Sequence, residues 1–179
     1  MPKLANGQRK LLEQATAFYQ QSLKEALPFL ECRGLDEAVA RKYRLGVVSR
    51  PCSGHESYVS RLSIPYLSRS GCVTIRFRCL EEHNCKIAQG PKYLSMRGDK
   101  PTLYNTEALF AAGSVIAITE GELDALVITE YAGVLAHHFA AQISCMGLSG
   151  YMFRPHPRLV AAPAESAFGV TTFAVGMRQ

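Results

Sequence analysis

No stretch of this chain approaches the roughly 18 consecutive apolar residues that a membrane-crossing helix needs, and its N-terminus has no apolar run of the signal-peptide kind. It therefore reads as a cytoplasmic protein without a membrane partner, a setting in which its six cysteines stay mostly reduced. Heptads, low-complexity tracts and internal repeats are missing as well, which excludes coiled-coil and solenoid designs. Acids are few and unevenly spread. Aspartate occurs three times, at positions 36, 99 and 124, and the one carboxylate beyond Gly133 is Glu165. What is present is ordinary for a globular protein: 179 residues, 47% apolar and 20% charged, enough for one medium domain or two small ones. The formal net charge of +5 and pI near 8.9 suit an anionic partner such as nucleic acid, although solvated lysines would give the same figure.

Taken in order, residues 10–30 place Leu11, Leu12, Ala15, Phe18, Tyr19, Leu23, Ala26 and Leu27 at helical spacing, with Pro28 positioned to break or kink the helix. Asp36 is placed to cap a short helix reaching about Tyr43, and residues 45–48 begin something extended. Turn formers fill 51–57. Residues 62–67 and 72–79 then read as two strands joined by a turn at 68–71, because Val73, Ile75 and Phe77 alternate with Thr74, Arg76 and Arg78. That alternation puts Thr74, Arg76 and Arg78 on one face, as a cationic stripe. Between positions 61 and 100 eight Lys or Arg stand against three carboxylates, Glu81, Glu82 and Asp99. Tyr66, Tyr93 and Tyr104 are interleaved with them and able to stack on bases, a combination that suits single-stranded nucleic acid. The alternative is a solvated sheet face. Cys79, His83 and Cys85, with Cys52 and His55 upstream, hold enough ligands for a tetrahedral zinc. Cys-x3-His-x-Cys is not an established ligand spacing, however, and no zinc is expected. Residues 91–95 lead into a loop, followed by a short helix around 106–112.

The stretch most suggestive of chemistry begins at Val115. Val-Ile-Ala-Ile-Thr is a short β-branched run of the kind buried on both faces in parallel sheets. It ends on Glu120 and Gly121, and a helical pattern with Leu123, Leu126 and Val127 follows, which Gly133 is placed to stop. Val134-Leu135-Ala136 is the candidate for a second parallel strand. Ligands of open α/β sheets sit where strands end and helices begin, so Glu120 lies where chemistry is expected. Asp124, four residues on, falls on nearly the same side of the first helical turn. Two such carboxylates can hold a divalent cation through oxygen donors, as magnesium prefers. Equally, Glu120, Glu122 and Asp124 can simply complement the positive end of the helix dipole.

Several of these stretches together resemble a bacterial-type DNA primase of the kind many phages encode. Arg33-Gly34-Leu35-Asp36-Glu37 through Val48 is similar to the helix and turn ahead of that family's catalytic core. Ile64-Pro65-Tyr66, Gly71 and residues 73–78 resemble the hairpin of its basic subdomain, and Pro91-Lys92-Tyr93-Leu94-Ser95 with Leu103-Tyr104 its lysine-containing segment. Glu120-Gly121-x-x-Asp124 matches the first TOPRIM motif. The resemblance runs from about residue 16 to 134. It implies an α/β fold with an α+β N-terminal part: a helical N-terminal unit (1–50), a small basic antiparallel sheet (51–112), an incomplete TOPRIM strand and helix (113–134) and an atypical tail (135–179).

The same resemblance implies Glu120 as metal ligand or general base and Asp124 as a second ligand of magnesium or manganese. Arg76, Arg78 and Lys92 are implied to meet template, primer or incoming nucleotide, so the partners would be single-stranded DNA and nucleotides, with a replicative helicase beside them. TOPRIM enzymes also need an Asp-x-Asp pair at a later strand end, and the three aspartates do not form one. The family's zinc ribbon and a P-loop helicase segment are absent from these residues too. The chain is thus expected to be a primase-like phage or mobile-element replication protein that is catalytically incomplete by itself. The other reading is a non-catalytic nucleic-acid-binding module derived from a primase.

Overall fold

A computed structural model describes residues 4–81, 90–100, 102–106, 115–119, 121–139, 143–147 and 172–173. The chain divides into two units, Met1–Lys100 and Pro101–Gln179.

In the first unit, α1 (Asn6–Gln20) buries Leu12, Ala15, Thr16 and Tyr19, an i, i+3, i+4, i+7 stripe. The single helix expected over 10–30 is broken before it reaches the proline. The chain tightens into a 3-10 turn at Leu23–Ala26 and restarts as α2 (Leu27–Glu31), with Pro28 in the first turn. A proline inside a helix collides with the carbonyl four residues back, here Lys24, whereas in a first turn its missing N–H costs nothing. The short α3 (Glu37–Lys42) begins as expected, with Asp36 accepting from Val39 N at 2.8 Å.

Four antiparallel strands follow in the spatial order β1-β2-β3-β4: β1 (Gly46–Val47), β2 (Arg61–Ser68), β3 (Gly71–Cys79) and β4 (Tyr93–Ser95). The β2–β3 hairpin matches its sequence reading, since both the alternation and the turn formers are local signals. Residues 93–95, expected to lead into a loop, instead pair with β3 (Arg78↔Tyr93, Phe77↔Leu94, Arg76↔Ser95). Three residues are too few to display a strand period. One face of the sheet meets α1 through Leu12, Ala15, Tyr19, Cys72, Ile75 and Phe77. Tyr58 stacks on Phe77 at 3.9 Å between centroids, and its hydroxyl donates to Ser95 O at 3.0 Å, tying β4 to this core.

The second unit carries β5 (Val115–Thr119), α4 (Glu122–Phe139), β6 (Ile143–Gly147) and β7 (Thr172–Phe173). β6 runs parallel to β5 and β7 antiparallel on its other edge, giving the order β6-β5-β7. α4 does not stop at Gly133, and Val134-Leu135-Ala136 is helical rather than a strand. A glycine costs a helix interior only about 1 kcal/mol relative to alanine, and alanines and leucines on either side carry the helix through. The parallel strand comes later, at 143–147. Most of the helix expected around 106–112 lies outside the described residues. Among the described residues no helix is long and apolar enough to cross a membrane.

Candidate functional site

Residues opposite one another in an antiparallel sheet share a face, so Arg78 stands with Leu62 and Tyr93, Arg76 with Ile64 and Ser95, and Thr74 with Tyr66. This is not the open cationic stripe that β3 alone implies. Leu62 and Ile64 are fully buried, and Tyr66, Thr74 and Arg78 are buried too. The neighbouring strand contributes apolar side chains to the arginine face, and alternation within β3 cannot reveal that.

Arg78 is 8% exposed. Its Nη1 donates to Tyr93 Oη at 2.6 Å, and its Cζ lies 5.1 Å from the centroids of both Tyr93 and Phe29. Among the described residues it pairs with no carboxylate, and its Nε has no hydrogen-bond partner. A guanidinium carries five N–H donors and stays charged, so the unpartnered Nε–H of this buried group is a donor an anion could use. Arg76 and Lys92 gather around the same ring, 4.8 Å and 6.0 Å from the Tyr93 centroid. The Lys92 carbonyl accepts from Cys79 N at 2.9 Å, which fixes the residue at the sheet edge. Tyr93, one of the rings expected to stack on bases, has Arg76, Arg78 and Lys92 around it. Tyr66 and Tyr104, 3% and 2% exposed, offer no open face. The contribution of Phe29 has no sequence signal, because it arises between elements far apart in the chain.

At the mouth of β5, Thr119 Oγ1 donates to Gly121 O at 3.0 Å, and the same carbonyl accepts from Ala125 N at 3.1 Å, starting α4. A Cβ on residue 121 would lie 2.6 Å from Asp124 Oδ2, so glycine is what allows this carboxylate to fold back over the turn. The two acids of the first helical turn part company: Glu122 is buried with Leu123, Ala125 and Leu126, whereas Asp124 is exposed. Glu120, the other expected ligand, lies outside the described residues. An exposed carboxylate at a strand end is the donor type magnesium or manganese takes. Among the described residues no three His, Cys, Asp or Glu converge.

The zinc candidates are placed as follows. His55 is buried in an aromatic cluster, with Nδ1 2.7 Å from Tyr19 Oη and the ring edge-on to Tyr58 and Phe77. Cys52 and Cys79 are half-buried, and His83 and Cys85 lie outside the described residues.

No family model matches the chain. The Gene 57 protein of Mycobacterium phage D29 is 38% identical over 107 residues, a match spanning 56% of this chain and 60% of that protein. Among solved structures, the E. coli primase catalytic core matches with a TM-score of 0.57 at 20% identity, covering 80% of this chain and 55% of that one. The DnaG primase catalytic domain bound to ssDNA gives 0.55 at 20%, covering 82% and 58%. The fold is that of a bacterial primase catalytic core. The chain spans less than two thirds of the length of each of these proteins.

Proposed function

We propose that this chain is a primase-type DNA replication protein of phage or mobile-element lineage. Its basic sheet binds single-stranded DNA and nucleotides through Arg76, Arg78 and Lys92. The observation that carries the reading is Arg78: a buried guanidinium, braced by Tyr93, with Nε lacking a hydrogen-bond partner and no carboxylate beside it among the described residues. A buried charge without a counter-ion is costly, and a phosphate would supply both the charge and the acceptors. The single-stranded DNA held by a primase domain of the same fold supports this choice of ligand. Glu120 and Asp124 are the residues that would hold magnesium or manganese, which when bound neutralises charge on a transferring nucleotidyl group. A replicative helicase is the further partner this reading implies.

A second reading, a nucleic-acid-binding module without catalysis, is favoured by the acid count, since residues 1–179 contain no Asp-x-Asp pair. Two measurements on the purified chain separate the outcomes. Labelled single-stranded DNA should bind, and Arg78→Gln should weaken binding about tenfold or more, because hydrogen bonds to charged groups contribute about 1.5–3 kcal/mol. Binding that survives in Arg78→Gln refutes the site. A primer-synthesis assay with magnesium then decides between enzyme and module. Product that disappears in Glu120→Gln supports the enzyme, and DNA binding without product supports the module.

A further inference from the structure

Two rings lie 5.1 Å from the Arg78 guanidinium carbon, and they differ in what they offer it. Tyr93 supplies a ring face and also an acceptor, the hydroxyl that takes the 2.6 Å bond from Nη1. Phe29 has no polar side-chain atom, so it presents a ring face alone. Its distance is inside the roughly 6 Å over which a ring quadrupole attracts a cation, and that attraction is strongest where water is excluded, as at this buried arginine.

Phe29 owes its place to the way the chain enters α2. The 3-10 turn at Leu23–Ala26 ends the preceding helical path, and α2 restarts at Leu27 with Pro28 in its first turn. Leu30, the next residue along, is fully buried, and the bonds from Cys32 N to Pro28 O and from Leu35 N to Leu30 O close the helix around it. Arg33 donates back to the Phe29 carbonyl through Nη1 at 2.9 Å, with its own guanidinium carbon 3.8 Å from the ring centroid. The ring is half-buried and its backbone is anchored on both sides, so it meets Arg78 in a set place.

We propose that Phe29 is a positioning residue for nucleic-acid binding: its ring holds the Arg78 guanidinium where a strand phosphate is taken. This rests on the nucleic-acid reading of the sheet given above and adds the element that fixes its central cation. Phe29 itself touches no phosphate. Among the described residues no carboxylate stands beside Arg78, so the ring offsets part of the cost of keeping that charge out of water. An arginine already held also loses less freedom when the anion arrives. Without the ring the ligand must order the guanidinium, and affinity falls.

The test is fluorescence anisotropy of a labelled oligothymidylate of about fifteen nucleotides, within the range of single-strand site sizes, titrated with the full chain carrying either Arg78 or Arg78→Gln. For Phe29→Leu we expect a roughly threefold to tenfold loss in the Arg78 chain and no further loss in the Arg78→Gln chain, because the two residues act as a unit. Phenylalanine bearing one, two or three fluorines at position 29 keeps the ring's shape while draining negative charge from its face, so affinity should fall stepwise along the series. Arg33 lies over the same ring; repeating the series in the Arg78→Gln chain, where it should be flat, separates the two cations. A packing role alone gives the opposite pattern: Phe29→Leu loses equally in both chains, or fluorination changes nothing, and either result overturns the proposal. Should Phe29→Leu fail to fold, the fluorinated rings, which keep the native shape, decide the matter. If Arg78→Gln loses binding while the changes at Phe29 do not, this inference fails alone. If the unsubstituted chain does not bind at low salt, the nucleic-acid reading itself fails and this inference with it.

Discussion

A methyl group added at residue 121 would meet Asp124 Oδ2 at 2.6 Å, yet among the described residues it would meet no backbone. The obstructing atom is the free end of an exposed side chain, which can swing aside. Gly121→Ala should therefore change stability by no more than about 1 kcal/mol while displacing the carboxylate proposed as a metal ligand. Thermal melting should be nearly unchanged and manganese affinity, followed by electron paramagnetic resonance, should fall; unchanged affinity would show that Asp124 does not hold the ion. His55 gives a prediction in pH. Burial pushes its imidazole below the usual value, with Glu56 pulling weakly the other way. The unfolded chain thus takes up a proton near pH 6.5 that the folded chain resists, so stability is lost as pH falls below that point. The melting temperature should drop between pH 7.5 and 5.5, and by less in His55→Gln. An equal drop in both would clear His55. At this scale the sequence singles out Arg76, Arg78, Lys92 and Asp124 by type and position. It could not show that Phe29 and Tyr93 hold Arg78, because Phe29 is distant in sequence, or that Glu122 is buried while Asp124 stays exposed.

Among the elements, β1 is the most exacting. A Cβ on Gly46 would lie 2.3 Å from the backbone carbon and oxygen of Tyr19 and 2.5 Å from Gln20 N, so β1 packs directly against the backbone at the end of α1. Main-chain atoms inside a helix cannot swing aside as Asp124 can. Gly46→Ala should cost about 3 kcal/mol or prevent folding. Asp36→Ala, which removes only the cap of α3, should cost about 1 kcal/mol. Urea denaturation of the two variants checks the ranking, and a mild Gly46→Ala would mean that α1 and β1 can move apart. Gly46 looks like any turn glycine in the sequence, since what it touches lies 27 residues earlier. The hairpin was legible because alternation and turn chemistry are local. β4 was not, since its partner defines it. The true end of α4 was hidden for a related reason: Gly133 reads as a stop signal only where a left-handed cap follows, and good helix formers surround it here.

Charge differs between the two units more than the whole-chain figure suggests. Residues 1–100 carry 17 Lys and Arg against nine carboxylates, and residues 101–179 carry three against six. The basic excess therefore resides entirely in the unit that holds β3, β4 and α2, and the unit with Asp124 is acidic. Non-specific attraction to a polyanion follows local charge, and the acidic unit can only oppose it. The first unit also has its own apolar core, built on Leu12, Tyr19, Ile75 and Phe77, which gives it the means to fold alone. Residues 1–100 by themselves should melt cooperatively and bind single-stranded DNA at least as tightly as the full chain. Magnesium chloride should affect that binding only as ionic strength does, because the carboxylates proposed for the metal are not in this fragment. Anisotropy at matched ionic strength, with magnesium or sodium chloride, checks both points. A folded fragment that no longer binds would place the recognition elsewhere, and the charge asymmetry would then have no bearing on function. Retained binding would make the basic sheet a nucleic-acid surface in its own right, with the metal chemistry a separable property of the other unit.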